Sequence, residues 1–177
     1  MAAAPQIPAK AMGMIDYINE RMTVIVPQIE DIDNLMQSNA LDWKRIEEKI
    51  TYTELEILYA SEEINALQKL ANKEGFPGDI RASIDEQAGQ LSAIFRLIAS
   101  IKGHASYAPR DEEARAEMQT ELDALLLQAR GTQILVASFH QQVGQHGGSR
   151  KRSLRSKRSK RSKRSKRTKR KQRTHRK

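Results

Sequence analysis

The last 29 residues, Ser149 to Lys177, limit what this chain can fold into more than any other feature. Eighteen of them are Lys or Arg and none is Asp or Glu. Only one, Leu154, is a large apolar residue. Such a segment cannot bury enough apolar surface to offset its ordering entropy, and its like charges repel one another. It is expected to stay disordered and solvated unless it meets a polyanion. The folding problem is thereby confined to residues 1–148. These keep 13 of the 31 basic residues and all 22 acidic ones, a charge of about −9 beside a tail of about +18. The net +9 of the whole chain conceals two segments of opposite sign.

A body of that size is large enough to bury a core. It has one Trp, three Phe and four Tyr, so its core must come from Leu, Ile, Met and Ala, which favours packed helices. With no cysteine, disulfides and thiolate metal sites are excluded. The opening MAAAPQIPAKAMGMIDY has no basic stretch leading into an apolar run, so no signal peptide is expected. The most apolar windows, such as LSAIFRLIASI, are broken by Arg96 and polar residues. They fall short of the roughly 20 apolar residues of a transmembrane helix.

The apolar residues of the body recur at alternating steps of three and four, which collects them on single helix faces. After a loose leader over residues 1–9, Met14, Ile18, Met22, Ile25, Ile29, Ile32 and Met36 form the first stripe. Pro27 lies inside it, and a kink or break is expected near Val26, with Val24–Val26 open to a local extended conformation. Ser38 and Asn39 offer an N-cap for the second helix. There Trp43, Ile50, Ile57, Ile64 and Ala71 recur every seven residues, with Ile46, Thr53, Ala60 and Leu67 between them. This heptad seam gives the helix-packing residues Trp43, Ile46, Ile50, Ile57, Ile64 and Leu67. Gly75 and Pro77 stop that helix.

Asp79 is a candidate cap for a third helix, whose stripe is Ile80, Ile84, Gln87, Leu91, Ile94, Ile98 and Ile101, ending at Gly103. Asp111, Glu112 and Glu113 suit the positive end of a fourth helix dipole. Met118, Leu122, Leu125, Ala129, Thr132, Val136, Phe139 and Val143 form the fourth stripe, and Gly144, Gly147 and Gly148 mark a flexible joint. The expected fold is all-α: about four helices over residues 10–146, as an antiparallel bundle or a coiled-coil hairpin, followed by the joint and tail over 147–177. Exposed heptad surface on the second helix would be a reason to form homo-oligomers.

No pattern points to catalysis, a cofactor or a metal. His104, His140, His146 and His175 have no metal-ligand spacing, and the paired glutamates read as solvated helix faces. The chain is expected not to be an enzyme.

The tail carries the chemical signal. Ser-Lys-Arg repeats at 156, 159, 162 and 165, with Thr168-Lys-Arg as a further copy. In an extended chain this period spaces basic pairs by about 10 Å, and the full tail reaches roughly 95 Å. The expected nucleic-acid-binding residues are Arg150, Lys151, Arg152, Arg155, Lys157, Arg158, Lys160, Arg161, Lys163, Arg164, Lys166, Arg167, Lys169, Arg170, Lys171, Arg173, Arg176 and Lys177. Their affinity for phosphates would be non-specific and salt dependent. No aromatic residue is interleaved to stack on bases. Ser153, Ser156, Ser159, Ser162, Ser165, Thr168 and Thr174 each follow an Arg and are candidate phosphorylation sites. Filling all seven would add about −10 to −14 and cancel most of the tail's charge. The alternative is that they are small polar spacers. The run also matches a nuclear import signal, and anionic membrane surfaces are a further polyanion.

The Arg-Ser repeats resemble the tails of splicing-type RS proteins, but Lys stands between the repeats and no RNA-recognition sheet is expected, which leaves a nuclear RNA-associated adaptor as an alternative. The run SKRSKRSKRTKRKQRTHRK resembles the protamine-like or histone-like tails of structural proteins in large double-stranded DNA viruses. The resemblance covers the last 29 residues. It implies an internal or minor capsid protein with a small helical body, located in a virion or nucleus, whose tail meets nucleic acid. A further alternative is an assembly clamp, in which the tail lies on acidic surfaces of neighbouring protein subunits.

Overall fold

The structure is a computed structural model; it describes residues 7–38 and 40–147. Four helices follow one another: α1 (Ala9–Met36), α2 (Trp43–Lys73), α3 (Gly78–Ala105) and α4 (Glu112–Gly147). Each connection is short, so consecutive helices run antiparallel. α1 packs on α2 and α4, and α3 packs on α2 and α4, which closes the four into a ring with α1 opposite α3 and α2 opposite α4. The hairpin alternative is thereby removed. The helices have 28, 31, 28 and 36 residues, long enough for each to span the bundle.

The four stripes meet inside. Every stripe residue predicted for α3 and α4 is buried, as are those of α1 except the partly buried Met36. On α2, Ile46, Ile50, Ile57, Ile64 and Leu67 are buried with Thr53, Ala60 and Ala71. Trp43 is partly buried against the same core, and its ring lies under the Arg115 guanidinium, 5.5 Å from the ring centre. The heptad seam of α2 is thus consumed within its own bundle. It is not an exposed surface for oligomers. Thr53 and Thr132 enter the core without leaving a hydroxyl unpaired, because each donates to the carbonyl four residues back, Lys49 at 2.8 Å and Gln128 at 2.9 Å.

The helix ends differ from expectation in several places. α1 continues through Val24–Val26 and Pro27 without a break. Pro27 is exposed, so the carbonyl that loses its partner faces water. α1 begins at Ala9, and Ile7 already packs on the core, so the expected leader shortens at its inner end. The cap of α2 is Asp42, which accepts the Arg45 amide at 3.1 Å. Ser38 instead folds the preceding loop through the Ala40 amide. α3 starts from Pro77 with Asp79 inside its first turn, where the carboxylate meets the dipole without capping it. Gly103 does not end α3, which runs to Ala105, and α4 passes through Gly144 to Gly147. Asp111 does cap α4, accepting the Glu113 amide at 2.9 Å.

Between α2 and α3 the chain reverses at Gly75, whose φ of 65° lies in the left-handed region. The Phe76 amide reaches back to the Ala71 carbonyl at 3.0 Å, and the Phe76 ring is buried. This is a Schellman-type stop with its hydrophobic contact.

Candidate functional site

The 18 basic residues from Arg150 to Lys177 and the candidate phosphorylation sites Ser153 to Thr174 lie outside the described residues. The structure does define the platform that carries them. α4 ends at Gly147, at the end of the bundle where α1 begins and where α2 turns into α3. The tail therefore departs from that end.

The platform is acidic by its sequence, and several of its cations are held in ion pairs. Arg21 donates to Glu56 at 2.7 Å, Lys49 to Asp31 at 2.8 Å and Arg130 to Glu30 at 2.7 Å, and Lys102 pairs with Glu54. Each pair joins two helices, and each removes a cation that a phosphate would need. Asp31, Asp33, Asp42, Glu47 and Glu48 lie towards the α1–α2 connection, with Asp111, Glu112, Glu113 and Glu117 at the start of α4, interleaved with Lys44, Arg45, Lys49, Arg110 and Arg115. This end is the one remote from the tail.

Neither His104 nor His140 sits in a ligand set. His104 lies between Glu117, at 3.2 Å from Nδ1, and Glu121, at 3.8 Å from Nε2, and so links α3 to α4. His140 Nε2 lies 2.6 Å from Asp16 Oδ1, linking α4 to α1. The side chain of His146 and all of His175 lie outside the described residues. Among the described residues no group of three or more His, Asp or Glu is arranged to hold a metal ion. The surface depression lined by Lys44, Glu47, Glu48, Thr51, Tyr52 and Leu55 follows the outer side of α2 alone, with no nucleophile and base converging on it.

One charged cluster was hidden from sequence reasoning. Glu56 is buried on α2 and takes the Arg21 guanidinium of α1, which also stacks over the Tyr17 ring, 4.6 Å from its centre. The hydrogen bond from Arg21 to Glu56 holds the Arg21 pKa above its ordinary value, against the opposing effect of burial. The same carboxylate raises the Tyr52 hydroxyl, first by hydrogen bonding and then by its charge. Raised values mean that both protonated forms are favoured in the fold. Tyr52's contribution is complete below its unfolded pKa of about 10 and is lost as pH rises through the folded value. The spacings Tyr17–Arg21 and Tyr52–Glu56, both i, i+4, were visible signals for each half, but nothing in the sequence joined the halves.

The cluster is structural, and its test is stability. Arg21→Met, which keeps the aliphatic stem and removes the donor, is expected to cost about 1–3 kcal/mol in urea unfolding by leaving a buried carboxylate short of a partner. The double change Arg21→Met with Glu56→Gln should recover part of that loss.

No known protein family, curated protein or solved structure matches the chain. Among the described residues no helix is long and apolar enough to cross a membrane.

Proposed function

We propose that this is a non-enzymatic structural protein in which an acidic helical bundle makes protein contacts and the basic tail binds nucleic acid through phosphates, without sequence preference. The observation that carries the reading is the division of charge: 18 basic and no acidic residues in the tail, against an excess of acidic residues in the body. The bundle repels a phosphate backbone, and several of its cations are already held by carboxylates on neighbouring helices. Affinity for a polyanion therefore rests with the tail, through counterion release. The tail's resemblance to those of internal and minor capsid proteins extends the proposal to a virion, with the body against shell proteins and the tail reaching the genome.

A second reading has an observation of its own. Acidic residues outnumber basic ones in the body, 22 to 13, so the tail of one copy has a complementary surface on another, as an assembly clamp would need.

Sedimentation of the full chain with and without duplex DNA, at low and physiological salt, separates the two. The nucleic-acid reading expects a shift with DNA that fades as salt rises. The clamp reading expects large species without DNA and no further shift when DNA is added.

A further inference from the structure

α4 has a second seam on the side facing away from the core. Thr120, Ala124, Leu127, Gly131, Ile134, Ser138 and Gln141 follow steps of four and three, the spacing of a helix-packing face. None of them is buried, and Leu127 and Ile134 are 77% and 67% exposed. These are the most exposed large aliphatic side chains among the described residues. A side chain added at Gly131 would meet nothing of its own chain within 4 Å, so the backbone there is open to close approach. From Gly131 to Gly147 α4 contains no Asp, Glu, Lys or Arg.

We propose that this face pairs with the same face of a second copy, the two α4 helices running antiparallel about a two-fold axis at Leu127. The charges select both the partner and the direction. Asp123 and Arg130 are seven residues apart, so they occupy the same flank of the seam, and they bracket Leu127. Both are exposed. In an antiparallel pair the same flanks face each other. The two-fold rotation then sets Asp123 of each copy opposite Arg130 of the other, and does so twice. A parallel pair would set this flank against the opposite one, where Gln128 and Leu135 offer no charge to match. In the antiparallel register Leu127 meets its own copy, Ala124 faces Gly131, and Thr120 faces Ile134, so large residues are set beside small ones.

The outer side of α2 offers a contrast. Tyr52, Leu55 and Tyr59 are also exposed, but Glu48 and Glu62 stand seven residues to either side of Leu55. The same two-fold operation would place Glu48 against Glu62 and repel. The α4 pairing has a second complementarity. It brings Gly147, from which the tail departs, alongside the partner's α3–α4 connection and its Asp111, Glu112 and Glu113. Gly147 of each copy then lies beside the acidic start of α4 in the other, at opposite ends of the dimer.

Sedimentation equilibrium of the full chain, free of nucleic acid and at about 0.5 M salt to screen tail contacts, tests the proposal. The expected result is twice the chain mass of 20.1 kDa. Leu127→Glu should give the single-chain mass with unchanged helicity, since the residue touches no core. Asp123→Arg, which sets cation against cation, should weaken the dimer severalfold at about 0.1 M salt and less at about 0.5 M, where exposed charges are screened. The chain has no cysteine, so the register can be read by single-cysteine oxidation. Leu127→Cys should form a disulfide dimer and Leu55→Cys should not. A single-chain mass for the unaltered protein, a dimer that survives Leu127→Glu, or cross-linking at Cys in place of Leu55 and not of Leu127 would each overturn the proposal.

Discussion

Ending the chain at Gly148 is expected to abolish retention of duplex DNA in a gel or filter assay at low salt. The truncation removes 18 cations and no anion, and what is left is a bundle with 13 basic and 22 acidic residues. Engaging six to ten phosphates already makes affinity change by about 10³–10⁵ between 50 and 200 mM salt, so losing every such contact takes binding below detection. The bundle should remain folded, because the four helix stripes from Ala11 to Val143 already close on one another as an apolar core. Helicity per body residue and the unfolding midpoint of the shortened chain should therefore match those of the full chain. Loss of DNA retention together with loss of helicity would mean that the tail supports the fold, and would remove the separation of roles. Phosphorylation of the seven tail hydroxyls should act in the same direction as the truncation, by charge cancellation.

The second large effect is expected in the bundle centre. Ile57 is fully buried on α2, at the middle of the heptad seam. Ile57→Ala removes apolar volume that neighbouring helices cannot refill without moving, and is expected to cost about 2–5 kcal/mol in denaturant unfolding. Leu55→Ala, two residues away on the exposed side of the same helix, should stay within about 0.5 kcal/mol. Equal effects at the two positions would contradict a closed bundle with α2 turned inward at Ile57. The bundle is the more sensitive to such a change because its core is almost wholly aliphatic and each helix faces only two neighbours.

The stripes were legible because burial in a helical bundle is a one-dimensional pattern. Steps of three and four from Met14 to Ile32, or from Met118 to Val143, identify both the helix and the side it buries. Less legible were the ends, where a choice among several capping residues is settled by loop geometry. Ser38, Asp42 and Asp79 all have N-cap chemistry, and only Asp42 among them stands where the chain enters a helix with its carboxylate free to reach the third amide. Pro27 misled for a related reason. Propensity weighs against a proline inside a helix, but packing of Ile25, Val26 and Ile29 on the core outweighs it. Nor could spacing tell a hairpin from a ring of four, since the α2 seam serves either. That choice rests on α1 meeting α4. The Arg21–Glu56 pair joins residues 35 apart, a separation that no local pattern encodes. The basic tail of the proposed site is a signal of composition, which does not depend on a fold, and it lies outside the described residues.

The most direct test of the central claim is the salt dependence of DNA binding by the full chain, measured as log Kobs against log salt on two duplexes of unrelated sequence. If the tail alone carries affinity, the slope should be about −0.9 for each phosphate neutralised, near −8 when half of the 18 basic residues are engaged, and the same for both sequences. A slope near zero, or affinities that differ widely between the two duplexes, would contradict a phosphate-binding tail and return the tail to the role of a protein contact.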